Sequence, residues 1–118
     1  MTTATDLGTL GAACFPTAIN SFGEVVGISD LPLSTVHRAF LYDSAGVMHD
    51  LNDLIPQNSG WVLDHATGIN DLGQISGSGT IGGNFHAFLL TPTPEPIDLS
   101  LLGLGALGLL ARRRNHRR

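Results

Sequence analysis

Lysine is missing from this chain of 118 residues: all six basic residues are arginines, and five of them lie within residues 112–118. Two of the ten acidic residues lie beyond position 94, so residues 1–94 carry eight carboxylates against one basic side chain, Arg38. An acidic surface is repelled by nucleic acid and by anionic lipid, so we expect no nucleic-acid partner. The terminal arginines form a separate basic block that suits anionic lipid headgroups.

Cysteine and aromatic residues are also scarce. Cys14 is the only cysteine, so no internal disulfide can form, and we expect a small buried side chain with no reactive role. Glycine is abundant and helix-forming runs of Ala, Glu and Lys are missing, which favours short strands and turns. The start of the chain has neither a basic patch nor an apolar run, so no signal peptide is visible.

A repeated phrase organises what remains. Residues 19–27 read INSFGEVVG, and residues 69–77, fifty positions later, read INDLGQISG. Each copy precedes an aromatic phrase, HRAFLY at residues 37–42 and HAFLL at residues 86–90. Asn at the first place and Gly at the fourth favour a type I hairpin turn in both copies, and residues 43–46 have the same chemistry. A repeat of 45 to 50 residues is typical of propeller blades and related arrays.

The pattern predicts an all-β fold of about 7–8 short antiparallel strands in two propeller-blade-like repeats, residues 1–52 and 53–91, plus one C-terminal transmembrane helix. We expect a leading strand near residues 3–10. Eight further strands are expected near residues 17–20, 24–29, 38–42, 47–51, 61–64, 65–70, 74–79 and 85–90, about four in each complete unit. Asp6-Leu7 repeats at Asp50-Leu51, which makes the opening segment a candidate for the last strand of an earlier unit.

The two copies differ in how their strand faces alternate. In the first copy Val25 and Val26 point to opposite faces and both are apolar, as in a sheet that is covered twice. In the second copy Ser76 and Ser78 make one face polar. We therefore expect the second unit to lie at an exposed end.

Several side chains could carry chemistry, but each has a structural explanation that we favour. His37 and His86 recur at matching places, which predicts a hydrogen bond within each unit in preference to a metal pair. The adjacent pairs Asp64-His65 and His49-Asp50 point to opposite faces of a strand and lack the spacing of zinc ligands. Asn70-Asp71 with Gly73 is interpreted as a turn, because the dense carboxylate series of a calcium loop is missing.

Three further features are also interpreted as structural. Trp61 is predicted to anchor the core in preference to forming a sugar platform. Ser78 has no nucleophile-elbow spacing, and the glycines at 77, 79 and 82 match a dinucleotide pattern without the strand and helix that it requires. We therefore predict no enzymatic activity, no catalytic residue, no metal and no cofactor.

Residues 4–92 resemble the extracellular HAF repeats of bacterial surface proteins. The resemblance lies in the Ile-Asn-x-x-Gly-x-x-x-Gly phrase and in His86-Ala87-Phe88, which gives the repeat its name. The first copy departs from it, because Arg38 is inserted after His37. The resemblance implies an extracellular β-repeat of propeller type and no defined activity.

The end of the chain resembles a PEP-CTERM sorting signal. It has a motif, an apolar run at residues 99–111 and a basic stop, formed by Pro94, Glu95, Pro96, Arg112, Arg113, Arg114, Arg117 and Arg118. We assign residues 92–96 to a Pro-rich linker with the motif, 97–111 to a transmembrane helix and 112–118 to the cytoplasmic stop. By length alone a buried helix is a rival, but the arginines favour the membrane. The resemblance implies processing by exosortase, a membrane cysteine transpeptidase.

These features together predict a non-enzymatic, membrane-tethered protein that is exported to the cell surface or extracellular matrix. Its expected partners are exosortase, the lipid bilayer and, in one reading, exopolysaccharide. The alternative is a carbohydrate-binding module that contacts polysaccharide through loops at residues 30–36 and 79–84. Fewer than two complete units and no export signal are visible, so we expect a longer protein or a late start of the reading frame.

Overall fold

The structure, a computed structural model, describes residues 2–93. It contains seven strands: β1 (Cys14–Ile19), β2 (Val25–Asp30), β3 (His37–Tyr42), β4 (Met48–Asp50), β5 (Trp61–Ile69), β6 (Ile75–Ile81) and β7 (Asn84–Leu90). They form two antiparallel sheets with strands in chain order, β1-β2-β3-β4 and β5-β6-β7. A short 3₁₀ turn, Leu51–Asp53, begins the link between the sheets. The all-β prediction is confirmed.

Three hairpin turns have the same local chemistry, as the sequence predicted. In the first, the Asn20 carbonyl accepts from the Gly23 amide at 3.2 Å, and the Asn20 side-chain oxygen accepts from the amides of Phe22 and Glu24. Gly23 has a φ of 78°, a conformation that favours glycine. The turns that begin at Asn70 and Asp43 repeat these bonds, with glycine at the fourth place of each.

Two strand predictions are wrong. Residues 3–10 form no strand, because they have no strand partner and Gly8 adopts a φ of 91° beside a turn in which Asp6 Oδ1 accepts from the Gly8 amide. The stretches expected as two strands at residues 61–64 and 65–70 are one strand, β5. A bulge between Leu63 and His65 absorbs the irregularity without ending the pairing, so the second unit has three strands and not four.

A second bulge occurs at the same place in both units. Thr17 is the extra residue in β1 and Thr67 is the extra residue in β5, fifty positions later. The partner strands carry Gly27 and Gly77 opposite the residue before each bulge. A Cβ on Gly77 would overlap the His65 carbonyl, and one on Gly27 would overlap the Phe15 carbonyl. The glycines of the repeated phrase therefore permit close approach of the strands.

The main core lies between the two sheets, and β5 packs across β1, β2 and β3. The first sheet contributes Val26 and Ala39. Val26 pairs with Leu41 and Ala39 pairs with Ile28, two residues further along each strand, so both side chains lie on the same face. The second sheet and the link contribute the remaining buried residues, which are Leu51, Leu63, Ala66, Ile75 and Phe88. Burial of such side chains supplies the main stabilisation, at about 1.5–3 kcal/mol for each large one.

The first sheet is covered on its opposite face too, as predicted from its apolar alternation. Val25, Ser29 and Phe40 are buried there, although they lie on the far side from the second sheet. The segment before β1 contributes to this cover, because the Leu10 amide donates to the buried Ser29 hydroxyl at 3.0 Å. The Ala12 amide then extends the ladder by bonding to the carbonyl of Asp30.

Among residues 2–93 nothing covers the outer face of the second sheet, which agrees with the predicted exposed end. Ser76 is exposed, and Phe85 and Leu89 are 64% and 62% exposed on this face. Equivalent faces of the two sheets therefore point in the same direction. The face of the second sheet that carries Ile75 and Phe88 packs on the first sheet, and the equivalent face of the first sheet, which carries Val25 and Phe40, points away from the second sheet.

Candidate functional site

The predicted sorting residues, Pro94, Glu95, Pro96, Arg112, Arg113, Arg114, Arg117 and Arg118, lie outside the described residues, as do the helix and stop at residues 97–118. Within the described range, the features with potential function are a polar seam between the sheets, a histidine cluster at one end and a groove along β7. No helix between residues 2 and 93 is long and apolar enough to cross a membrane.

The polar seam joins the two units through hydrogen bonds at or next to equivalent positions. The Thr17 hydroxyl lies 2.6 Å from the Ala66 carbonyl and 3.2 Å from the carbonyl of Val26. The hydroxyl has one proton, and the shorter distance assigns it to Ala66 in the other sheet. The bulge places Thr17 there, because the extra residue turns the side chain out of the ladder.

The hairpin turns continue the seam. Asn20 Nδ2 donates to the Asn70 carbonyl at 3.0 Å, and the amide of Ser21 donates to Asp71 Oδ1 at 2.9 Å. The bonds from the side chain and amide of Ser21 hold the pKa of Asp71 below its ordinary value, because they stabilise the carboxylate. The structure confirms the predicted turn at Asn70 and Asp71, since the Gly73 amide donates to the Asn70 carbonyl and the Gln74 amide donates to Asn70 Oδ1.

A histidine cluster lies where β3 meets β5. His37 Nδ1 is 2.5 Å from Asp30 Oδ1, and the rings of His37 and His65 are 5.7 Å apart between centroids. His65 Nδ1 is buried without a hydrogen-bond partner among the described residues. No group of three or more His, Cys, Asp or Glu side chains in residues 2–93 could hold a metal ion.

The expected equivalence of His37 and His86 is wrong. Phe40 lies opposite Gly27 and Phe88 lies opposite Gly77, so the equivalent of His86 is Arg38. The two histidines therefore lie on opposite faces of their sheets. His37 does bond within its unit, whereas His86 is exposed and packs its ring against Trp61, 6.4 Å between centroids.

The adjacent acid–histidine pairs are separated, as predicted. Asp64 faces Arg38 at 4.0 Å, while His65 contacts the His37 ring. His49 Nε2 lies 2.7 Å from Asp43 Oδ2, and this bond together with the Val47 and Ala45 amides holds the pKa of Asp43 below its ordinary value.

A carbohydrate-binding module would use Trp61 as a sugar platform or contact polysaccharide through two loops. Trp61 is half-buried, packs against the core and stands edge-on to Phe88 at 6.2 Å, so its assignment as a core anchor is confirmed. The expected loop at residues 79–84 is mostly strand: a two-residue turn of Gly82 and Gly83, both with positive φ, joins β6 to β7. The loop at residues 31–36 is held by its own bond from the Leu31 amide to the carbonyl of Val36.

Cys14 is half-buried at the start of β1. Burial raises the pKa of its thiol, and a hydrogen bond with Ser29 offsets this only in part. The thiol is therefore protonated at neutral pH, as expected of a structural cysteine.

A groove lies between β7 and the link that joins the two sheets. It consists of two adjoining pockets of about 580 and 310 Å³, both bordered by Ile55, Pro56 and Leu90. The walls are mainly apolar, with Leu51 and Ile75 beside the first pocket and Trp61 and Phe88 beside the second. Sequence reasoning missed this groove because its walls come from the link and from both sheets, which only the tertiary structure brings together.

Sequence reasoning also missed the seam. Its signal was present, since Asn20 and Asn70 hold the same place in the repeated phrase. The phrase does not reveal that one copy bonds to the other.

No protein-family model, no curated protein and no solved structure matches this chain.

Proposed function

We propose that this chain is a non-enzymatic repeat protein of the bacterial surface or extracellular matrix, which is tethered to the membrane by its tail and processed by exosortase. One observation carries the proposal: the order of Pro94-Glu95-Pro96, an apolar run and a block of five arginines at the end of the sequence. Exosortase and the bilayer are the partners that such an order requires, and the body has no cofactor in this proposal.

The linker supports access by a processing enzyme. β7 ends at Leu90, and residues 91–93 are exposed. Prolines at positions 92, 94 and 96 restrict the backbone to extended conformations and prevent a helix from reaching into the sheets. An extended, exposed linker is the form in which a protease or transpeptidase binds a substrate.

The composition of the tail supports insertion in the membrane. Residues 97–111 span about 22 Å as a helix, against about 30 Å for the hydrocarbon core of a bilayer. Arginine side chains that reach the headgroups reduce this mismatch. The five arginines also favour retention of that end in the cytoplasm, which places the body outside.

The body fits a spacer or matrix role. The Ile75 face of its second sheet packs on the Val26 face of its first sheet, so the stacking can repeat in one direction, which supports a propeller-type array. Its charged side chains are predominantly acidic. Acidic side chains are repelled by anionic headgroups, so the body is held away from the membrane surface. A carbohydrate-binding module receives less support, because Trp61 belongs to the core and one of the two candidate loops is a two-residue turn.

The proposal is tested by expressing the full chain behind a cleavable export leader, in a bacterium with exosortase and in the same strain without it. We expect a membrane-bound product without the enzyme, and with it a shorter product at the cell surface whose mass ends near Glu95. Glu95→Gln and removal of residues 112–118 should each abolish this conversion. The matched control is Asp53→Asn, which changes an exposed carboxylate of the body.

Two results would contradict the proposal. One is a full-length product that stays freely soluble after export in the strain without exosortase. The other is conversion of Glu95→Gln at the rate of the natural chain.

A further inference from the structure

The two sheets differ at one edge. In the first sheet β4 pairs with β3 and covers its outer edge, from Phe40 to Tyr42. The equivalent strand of the second sheet, β7, has no partner on that side among the described residues. Its sequence, NFHAFLL, has no formal charge, and Phe85 and Leu89 are largely exposed. An apolar, unpaired edge of this kind is a template for an added strand.

A fourth strand along β7 would also border the groove between β7 and the link. In the first unit, the strand that covers β3 ends at Asp50, and the next residue, Leu51, is buried between the sheets. In the second unit, Leu90 and Phe88 line the groove at the edge of β7, on the face that packs towards the first sheet. Among residues 2–93, the second unit has no segment equivalent to β4 and Leu51.

The segment before β1 has that character. Asp6-Leu7 repeats Asp50-Leu51, and the local structure is repeated with it. Asp50 Oδ1 accepts from the amide two residues ahead at 2.9 Å, and Asp6 Oδ1 accepts from the Gly8 amide at 2.9 Å. The turn that follows β4 is thus already formed at residues 6–8, although no strand precedes it there.

Within a single chain, this segment and the second sheet lie on opposite faces of the first sheet, so the segment cannot reach β7. The bond from the Leu10 amide to Ser29 places it on the face of the first sheet that carries Phe40. The second sheet packs on the opposite face, which carries Val26. Residues 3–7 can therefore complete only the second sheet of another molecule.

We propose that a second copy of this chain docks on the second unit and adds residues 3–7 as a fourth strand along β7. The first sheet of the incoming copy then packs on the outer face of the receiving copy's second sheet. This contact repeats the one that the second sheet makes with the first sheet within a single chain. Three groups on the second unit match the donors of the seam: the Thr67 hydroxyl, Asn70 Nδ2 and the Asp71 amide stand fifty positions after Thr17, Asn20 and Ser21. The contact is head-to-tail, so each copy offers both halves of it.

The expected strength follows from the outer face of the second sheet. Ser76 and Ser78 stand where the first sheet has Val26 and Ile28. The new contact therefore buries less apolar surface than the contact within the chain, and main-chain bonds to β7 contribute a larger share. Association is consequently reversible and depends on protein concentration.

Cysteine pairing tests the contact in the full chain, purified in a mild non-ionic detergent with Cys14→Ser. Leu41 lies opposite His49 in the first unit, and the equivalent pair is Leu89 and Thr5. Opposed residues on antiparallel strands have Cβ atoms about 4.5–5.5 Å apart, so Thr5→Cys on one chain and Leu89→Cys on another should form a mixed disulfide dimer on mild oxidation. The matched control replaces Thr5→Cys with Ser44→Cys, which is exposed in a turn of the first unit.

A preference of at least tenfold for the Thr5 and Leu89 pair over the control supports the docking. Equal yields would show random collision and would overturn it, as would the absence of a mixed dimer. A third outcome is a bridge within one chain between Leu89→Cys and Ser100→Cys, which would assign the groove to the chain's own tail and also refute the proposal.

Proline substitution supplies a second measurement that leaves both sheets intact. Successive amides of a strand alternate in direction, so Ala4→Pro with Thr5→Pro removes at least one amide that would face β7. These residues are exposed and belong to no strand in the single chain. Sedimentation velocity should show concentration-dependent association for the natural chain and its loss in the double variant. Equal association of both would refute strand addition, whatever the outcome for exosortase processing.

Discussion

Replacing Gly77 with alanine tests how closely β5 and β6 approach at the bulge. The added Cβ would overlap the carbonyl of His65 and would lie 2.6 Å from Phe88 Cζ. The first neighbour is backbone and the second belongs to the core, so neither can move without disturbing the packing between the sheets.

The expected cost is about 1–3 kcal/mol of unfolding free energy, the usual range for overpacking. For a body of this size, 1 kcal/mol lowers the melting temperature by about 4–8 °C. Gly68→Ala is the matched control, because it adds the same methyl group in the neighbouring strand and meets only the side-chain oxygen of Ser76, at 2.9 Å. A hydroxyl can rotate away, so the control should change stability by less than about 1 kcal/mol.

Urea unfolding of the full chain in mild detergent measures the difference, followed by the fluorescence of Trp61. This tryptophan is the only one, and it packs against Phe88 in the second sheet. An unfolding midpoint for Gly77→Ala equal to that of the natural chain would refute the reasoning. Equal losses for Gly77→Ala and Gly68→Ala would also refute it, since the cost would then come from the glycine backbone and not from strand approach.

Two further predictions concern the seam. Thr17→Val removes the hydrogen bond to the Ala66 carbonyl, so the free energy of unfolding should fall by about 0.5–1.5 kcal/mol in urea titrations, whereas Thr67→Val in dilute protein should cost less. Equal costs would show that the contact between the sheets is not the source. The lowered pKa of Asp71 predicts a stabilising contribution that is present above the ordinary carboxyl pKa of about 3.9 and is lost as the pH falls through the lower, folded-state pKa. Asp71→Asn should therefore make the melting temperature less sensitive to pH below about 4, and an unchanged acid slope would contradict the assigned role of Ser21.

The turns and the covered faces could be predicted because they depend on neighbouring residues. Asn20 and Gly23 specify their turn by a side-chain acceptor and a positive φ, and both act within four residues. Val25 and Val26 point to opposite faces of β2 and are both apolar, which likewise indicates that both faces are covered. These predictions required no knowledge of what supplies the cover.

The strand count of the second unit and the position of its histidine could not be predicted. β5 continues through residues that suggest a break, because a bulge keeps its pairing with β6. His86 was aligned with His37 by its sequence neighbours, whereas the ladder aligns it with Arg38. A single inserted residue changes the face of a side chain, and only the register reveals where the insertion is absorbed.

The sequence by itself determined that two β-rich units repeat, where their hairpins turn, and that a motif, an apolar run and an arginine block follow them. It did so because turn chemistry and side-chain alternation are local properties. The tertiary structure decided which face of one unit packs on the other and that Thr17 bonds to Ala66. It also decided that one edge of β7 has no partner strand within residues 2–93. These features join residues about fifty positions apart, and their geometry follows from how two sheets pack and not from the pattern within either one.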